Sequence, residues 1–246
     1  MSPAVLGAVA CAGILAGVVL SGCESSQTKS ARLRAAAANS APEKGLTITR
    51  TNPDVRVTDA VVLTDKTSKR SAAVVTLRNA SRRTQTALPL LFTLTDAAGK
   101  KVYANDLAGA SADLTTVPSL PAGGSLVWVN DVIVNVAGAT AAEAKVGTGK
   151  GADGAVPRMR ISDVRLETDA LDGATAVGKV FNESEVVQDR LVIFAVGRRA
   201  NKIVAAGRAV VPKLKPGAKG APFTLFFVGD PREAKLSVAA PAVSFG

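Results

Sequence analysis

Histidine is absent from this sequence, cysteine occurs twice, and aromatic residues make up 4% of the chain. Without histidine there is no Ser-His-Asp triad, no Cys-His pair and no zinc or copper site with imidazole ligands. Two cysteines are too few for a cysteine-rich metal cluster or a disulfide scaffold. The 47% of hydrophobic and 20% of charged residues are typical of a globular protein, and 246 residues suit one large or two small domains.

Charge is also missing from the first 23 residues, which include a 17-residue apolar run from Ala4 to Leu20. Such a run is near the lower limit for crossing a bilayer and has the length of the apolar region of a secretory signal. At its end, Leu20-Ser21-Gly22-Cys23 resembles the bacterial lipobox. The resemblance implies a signal peptide over residues 1–22, with Cys23 as the lipid attachment site and mature N-terminus. The alternative is an uncleaved membrane anchor.

The rest of the chain divides into two blocks separated by polar or glycine-rich segments. Residues 23–44 are rich in Ala and Ser and also contain Gln, Lys and Pro42, which is typical of a tether that buries no core. Residues 147–156 contain four glycines and no apolar period, which predicts a linker. We therefore expect two domains, at residues 45–146 and 157–246, each large enough for a core of its own.

The two blocks resemble each other in sequence, which indicates a duplicated domain. Ala73 to Ser81 matches Ala176 to Ser184 without a gap. Further matches, in chain order, are Gln85 with Gln188, Leu88 with Leu191, Phe92 with Phe194 after a slip of one residue, and Trp128 with Phe227.

Within each block the apolar residues recur with a period of two, which predicts strands. The predicted strands are rich in Val, Ile, Thr and Phe, and Gly, Asn, Asp and Pro separate them. Six or seven short strands at a spacing of about ten residues are typical of an immunoglobulin-like β-sandwich. The sequence therefore predicts an all-β protein with two tandem immunoglobulin-like β-sandwich domains after a signal peptide and a flexible tether.

The first block also resembles the FxLYD-type domain of bacterial envelope lipoproteins. The segment Phe92-Thr93-Leu94-Thr95-Asp96 has the Phe, Leu and Asp of that pattern, with Thr95 in place of its tyrosine. It follows a strand that ends at Asn79 and precedes Gly99-Lys100. The second block has Phe194 of the pattern and then departs from it. The resemblance implies a small extracytoplasmic β-sandwich and brings no active site.

Asn79-Ala80-Ser81 and Asn182-Glu183-Ser184 have the form of glycosylation sequons and occupy equivalent places in the repeat. An asparagine side chain at the end of a strand also accepts hydrogen bonds from the backbone two residues on and so sets a turn. We expect this structural role at both positions.

The sequence contains none of the familiar hydrolase patterns, such as a Gly-x-Ser-x-Gly elbow. We therefore expect a non-enzymatic structural or binding module of the bacterial cell envelope, without a cofactor, anchored by the lipid on the extracytoplasmic face of the membrane. Alternatives are a small-ligand receptor, which needs an apolar pocket between sheets or domains, a polyanion receptor, suggested by the net charge of +10, and an accessory hydrolase with an unrecognised site. Expected partners are the membrane and an envelope protein or anionic polymer, and not nucleic acid.

The repeat predicts an interaction patch on the second block. Lys179 is expected to face water, so Phe181, two residues further along the strand, faces the same way. The matches between the blocks place Leu191, Ile193 and Phe226 on the same outer side. Four large apolar side chains in one exposed patch mark an interface. We expect the patch to pack on the first block or under an edge strand of its own block, or else on a partner protein or a second copy of the chain.

Overall fold

The computed structural model describes residues 45–65, 67–134, 136, 138–152, 155–169, 173–217 and 219–246. Its strands confirm the all-β prediction and belong to one compact unit, Glu43–Gly246, so the count of two separate domains stays a prediction. The strands are β1 (Val55–Asp65), β2 (Arg70–Asn79), β3 (Gln85–Thr95), β4 (Lys101–Ala104), β5 (Thr116–Leu120), β6 (Ser125–Val134), β7 (Ala141–Val146), β8 (Lys150–Gly151), β9 (Met159–Asp169), β10 (Gly173–Asn182), β11 (Gln188–Arg199), β12 (Lys202–Leu214), β13 (Ala221–Phe226), β14 (Val228–Gly229) and β15 (Lys235–Ala239), with a 3-10 helix at Ala112–Leu114 before β5. The predicted signal peptide, lipobox, Cys23 and tether lie outside the described residues.

The strands form four antiparallel sheets, two from each half of the chain. In the first half, β1-β2-β6 is one sheet, and β3 pairs with β4, β5, β7 and β8 in the other. In the second half, β9-β10-β13 is one sheet, and β14-β12-β11-β15 is the other. The pairing of β2 with β6 and of β3 with β7 recurs as β10 with β13 and β11 with β15. The two halves therefore share one strand arrangement, as the sequence repeat predicts.

Each half has its own apolar interior. In the first half the rings of Tyr103 and Trp128 both lie 5.7 Å from the Phe92 ring, and Trp128 Nε1 donates to the carbonyl of Thr116 over 3.2 Å. In the second half the buried cluster includes residues of β10, β11, β12 and β13. Its fully or nearly fully buried members are Val180, Leu191, Ile193, Ala195, Val211, Leu214, Phe223 and Leu225.

The prediction that Leu191 and Ile193 belong to an exposed patch on the second half is wrong. Both side chains are fully buried in the core of the second half. The residues that alternate with them along β11, Val192, Phe194 and Val196, are also buried, but they belong to a cluster that includes the core of the first half. Strand β11 is therefore covered on both faces, and the face expected to point outward is the one that points into the core of the second half.

Phe181 and Phe226 do face outward from β10 and β13, but they do not lie together. Phe226 is 45% exposed and pairs with Thr175 near the start of β10. Phe181, near the end of β10, pairs with Arg160, whose guanidinium stacks over its ring at 4.0 Å. The register separates the two rings by six residues along β10, which is about 20 Å. No single apolar patch joins them.

The two halves pack through one sheet of each. Strand β6 of the first half contacts β11 and β12 of the second, and β1 contacts β12 and β14. Val74 and Val129, on the side of β2 and β6 that faces away from Trp128, belong to the same buried cluster as Phe194 and Ala206. The sheets β1-β2-β6 and β14-β12-β11-β15 thus have apolar residues on both faces, and the apolar cluster of the first half extends across the junction to residues of the second half.

The structural repeat has no slip between Gln85 and Phe92. Gln85 and Gln188 each follow the last residue of the preceding strand, an asparagine, by six residues. With that spacing kept, Phe92 corresponds to Ala195 and not to Phe194. Trp128 likewise corresponds to Phe223 and not to Phe227, because Trp128 pairs with Val75 and Phe223 pairs with the equivalent Gly178.

The glycine-rich segment predicted to be a linker is hydrogen-bonded to β3 in its first part. The Gly147 amide donates to the carbonyl of Pro89 over 2.8 Å. Lys150 and Gly151 then form β8 and pair with Thr86 and Gln85. A Cβ atom at Gly149 would lie 2.3 Å from the carbonyl oxygen of Thr86, so only glycine allows this close approach. Residues 147–151 are therefore part of the first half.

The predicted asparagine turns are confirmed in both halves. Asn79 Oδ1 accepts hydrogen bonds from the backbone amide of Ser81 at 3.0 Å and from its hydroxyl at 2.8 Å. Asn182 Oδ1 accepts the same pair from Ser184 at 3.1 and 2.7 Å. Each side chain also donates from Nδ2 to distant backbone carbonyls, which include those of Leu120 and Leu214. Each asparagine thus connects the two sheets of its own half through hydrogen bonds.

Replacing Asn182 by aspartate is expected to lower the free energy of unfolding by about 2–3 kcal/mol, because two carbonyls lose their donor and face a carboxylate. Asn182 Nδ2 donates to Val186 O at 2.8 Å and to Leu214 O at 3.2 Å. Ser184→Ala removes the hydroxyl alone and serves as the control, with an expected loss of about 1 kcal/mol. Urea unfolding of both variants measures the difference. Equal losses in the two variants would contradict a structural role for the amide nitrogen.

Candidate functional site

A cleft of about 620 Å³ opens where the two halves meet. Its volume lies within the range of roughly 300–1,000 Å³ that is typical of small-molecule sites. Residues of both halves line it, from the starts of β3 and β11, the 3-10 helix, β5, β8 and the C-terminal segment. They are Thr86, Ala87, Ser111, Ala112, Asp113, Thr116, Pro118, Lys150, Gly151, Ala152, Asp189, Arg190, Val192, Val243, Phe245 and Gly246.

Equivalent residues of the repeat line this cleft. Ala87 and Arg190 occupy the same position in β3 and β11, and both have left-handed backbone conformations, with φ of 48° and 53°. The register places Ala87 opposite Pro118 and Arg190 opposite Pro212. Proline has no amide hydrogen, so the strand ladder is interrupted there and the opposite residue is free to depart from strand geometry. A left-handed backbone conformation costs free energy for any residue other than glycine, and residues in this conformation are concentrated at functional sites.

The C-terminal wall of the cleft is fastened by Gln188, which is fully buried. Its Oε1 accepts hydrogen bonds from the amides of Val243 at 2.8 Å and Ser244 at 3.1 Å. Its Nε2 donates to the carbonyls of Ser244 at 3.0 Å and Val186 at 3.2 Å. This segment runs beside the start of β11 much as β8 runs beside the start of β3. The Gln188 side chain therefore helps to position the segment that includes Phe245.

Replacing Gln188 by leucine is expected to release the C-terminal wall. The substitution keeps the bulk and removes all four hydrogen bonds, which we expect to cost about 2 kcal/mol. Amide hydrogen exchange at Val243 and Ser244 should become at least tenfold faster. The matched control is Gln85→Leu at the equivalent position of the first half, where the glutamine is only half-buried and makes no side-chain hydrogen bond to a described residue. Unchanged exchange in Gln188→Leu would show that other contacts hold the wall.

Beside the cleft, Arg208 of β12 joins the two halves through a buried ionic network. Its Nη1 lies 2.7 Å from Asp113 Oδ2, and its Nε lies 3.2 Å from Asp131 Oδ1. Its backbone amide also donates to Asp131 Oδ2 over 3.0 Å. All three side chains are about 90% or more buried. Arg190 lies 3.3 Å from Asp113 and Arg70 lies 4.0 Å from Asp131, both at the exposed edge of the network.

The pKa values of the two carboxylates of the network are shifted in opposite directions. Burial raises the pKa of Asp131 above its ordinary value despite the hydrogen bonds from Arg208. Burial also acts to raise the pKa of Asp113, but hydrogen bonds from Ser111 and Arg208 outweigh it and hold this pKa at about 2, below the ordinary 3.8. The stabilisation from Asp113 is therefore present above pH 3.8 and is lost as the pH falls towards 2. Because the pKa of Asp131 is raised in the folded protein, the contribution of this residue to stability decreases as the pH rises through that pKa.

The residues singled out from the sequence lie away from this cleft. Phe181 and Phe226 are on the outer face of the second half, while Leu191 and Ile193 lie in its core. The cleft residues were not singled out, although one signal for them was present. The duplication places Val117-Pro118 and Val211-Pro212 at matching positions, and a proline within a strand indicates an interrupted ladder.

The chain matches no model of a known protein family and no curated protein. Among the residues that the structure describes, no helix is both long and apolar enough to cross a membrane. The same residues contain no group of three or more Cys, Asp or Glu side chains that could hold a metal ion.

Proposed function

We propose that the protein is a lipid-anchored lipoprotein of the bacterial cell envelope and acts on the extracytoplasmic face of the membrane as a non-enzymatic binding module. The cleft between the two halves is its binding site. The cleft itself is the observation that carries the binding role. It lies where two repeats meet, the usual position of a site formed by association of two modules, and both repeats contribute equivalent residues to it.

The proposed anchor rests on the sequence Leu20-Ser21-Gly22-Cys23 directly after an uncharged apolar run. A thioether-linked diacylglycerol on Cys23, with a further acyl chain on its amino group, would supply several chains. One acyl chain gives only marginal membrane binding, whereas two or more hold a protein stably. The polar residues 24–44 then connect the anchor to the described fold.

Replacing Cys23 by alanine is expected to abolish lipid attachment, so the protein accumulates as unprocessed precursor or leaves the membrane fraction. Fractionation, electrophoretic mobility and intact mass of the variant and parent measure this. Cys11→Ala is the matched control, because Cys11 lies inside the apolar run and is removed with the signal peptide. If Cys23→Ala fractionates and migrates like the parent, the lipoprotein proposal is wrong.

A polyanion-binding role has less support from the surface charges. Several basic side chains of the second half have acidic partners, including Arg160 with Glu183 at 2.6 Å and Arg232 with Asp230 at 2.8 Å. Paired charges contribute little field for a polymer to follow. The charge of the described surface is interspersed at these places, which favours the cleft as the site.

A further inference from the structure

The walls of the cleft are mostly apolar. Pro118 and Val192 line one part, and Val243 and Phe245 of the C-terminal segment line another. Ala87, Ala112 and Ala152 add small apolar side chains. Such a surface favours a ligand with an apolar body, because burial removes that body from water. It offers one aromatic ring and several short aliphatic groups, which suits a flexible chain.

Two cationic residues, Lys150 and Arg190, are among those that line the cleft. Lys150 is exposed and makes no ion pair with any residue that the structure describes. The Arg190 side chain is 65% exposed, and its one acidic partner among the described residues is Asp113 at 3.3 Å. Asp113 is closer to Arg208, at 2.7 Å. Most of the donor hydrogens of the Arg190 guanidinium are therefore free to bind an anion.

The acidic groups that line the cleft have cationic partners. Asp113 is held by Arg208 and Arg190 within the buried network. Asp189 lies 3.8 Å from Lys213, its partner across the β11–β12 pair. Among the described residues that line the cleft, the charges without a close partner of opposite sign are therefore those of Lys150 and most of the Arg190 guanidinium, and both are positive.

We propose that the cleft binds a small amphiphile, with a flexible apolar body against Pro118, Val192, Val243 and Phe245 and a single acidic group between Lys150 and Arg190. This inference rests on the proposed binding role and adds the chemical class of the ligand. A hydrogen-bonded contact between a lysine and an anion in a half-buried site changes affinity by about tenfold. The acidic group should therefore contribute strongly to selection.

The test uses the full-length protein in its own membranes and two photoreactive probes. One is a ten-carbon fatty acid that carries a diazirine near the end of its chain, and the other is the corresponding alcohol. After irradiation, peptide mass spectrometry locates the labelled residues. The acid is expected to label the segments with Pro118 and Val243–Phe245 about tenfold more than the alcohol does. Excess decanoate should compete for this labelling, and excess acetate should not.

Three variants sharpen the test. Lys150→Glu should lower labelling by the acid at least tenfold and leave labelling by the alcohol unchanged. Lys202→Glu, a matched charge reversal at the far end of the β11–β12 hairpin, should change neither. Ala112→Trp should occupy part of the cleft and lower labelling by both probes. Circular dichroism checks that each variant is folded. Lys150 and Lys202 are both exposed, so the two charge reversals are made in similar surroundings.

Equal labelling by acid and alcohol, competition by acetate alone, labelling confined to residues outside the cleft, or no labelling would each overturn this inference. None of these results would alter the outcome of the Cys23→Ala fractionation, which uses no ligand. A failure of the amphiphile class is therefore distinguishable from a failure of the proposed anchored module.

Discussion

Replacing Arg208 by methionine is expected to lower the free energy of unfolding by about 3–5 kcal/mol. Methionine keeps much of the aliphatic bulk, but Asp113 and Asp131 lose the cation that lies between them. Both carboxylates are more than 90% buried, so water cannot replace the lost contacts without opening the junction. The loss is large because a buried charge without its partner is costly, not because the intact pair adds much stability. Urea unfolding of variant and parent measures it.

Two further variants separate this effect from a general loss of arginine contacts. Arg232→Met removes an arginine bound to Asp230 at 2.8 and 2.9 Å on the open surface, and an exposed pair of this kind contributes no more than about 1 kcal/mol. Adding Asp113→Asn and Asp131→Asn to Arg208→Met should restore about half of the lost stability, because the unpaired charges are gone. If Arg208→Met is no less stable than Arg232→Met, the network does not hold the halves together.

The sequence predicted those parts of the structure that depend on local hydrogen bonds and on the repeat. The asparagine turns are an example, because Asn79 and Asn182 bond to serines only two residues away and both recur in the duplication. The facing of β10 was also correct, since Lys179 marks its solvent side. When apolar residues alternate with a period of two, a charged residue on one face identifies the opposite face as the buried one.

The same reasoning failed for β11 because both of its faces are buried. The stretch from Leu191 to Val196 is apolar at every position, so alternation gives no signal there. The facing of Leu191 and Ile193 then depended on matching Phe194 with Phe92, and the one-residue slip in that match reversed the two faces. A run of six apolar residues is itself the sign of a strand covered on both sides.

The ionic network and the cleft could not be predicted from the sequence. Arg208 is 77 residues from Asp131 and 95 residues from Asp113, and these partners lie in the other half of the repeat. Which acid meets which base depends on how the two halves pack, and the period of the strands holds no information about that packing.

Phe194→Ala is expected to be the most damaging apolar truncation at the junction, with a loss of about 3–5 kcal/mol. The side chain is 2% exposed and belongs to the cluster that both halves share. It already borders a cavity of about 220 Å³ beside Leu126 and Val127, which the truncation would enlarge. The chain has one tryptophan, Trp128, and it lies in the core of the first half. Its fluorescence therefore reports unfolding of the half that does not contain Phe194.

The urea transition followed by Trp128 fluorescence should move to lower urea in Phe194→Ala, together with the transition followed by circular dichroism, because the two halves stabilise each other through this contact. Phe226→Ala is the matched control. Its ring is 45% exposed on the outer face of β13. The free energy of unfolding obtained from either transition should therefore change by no more than about 0.5 kcal/mol. A dichroism transition that moves while the Trp128 transition stays in place would show that the halves unfold independently, and the shared apolar interior would then not couple them.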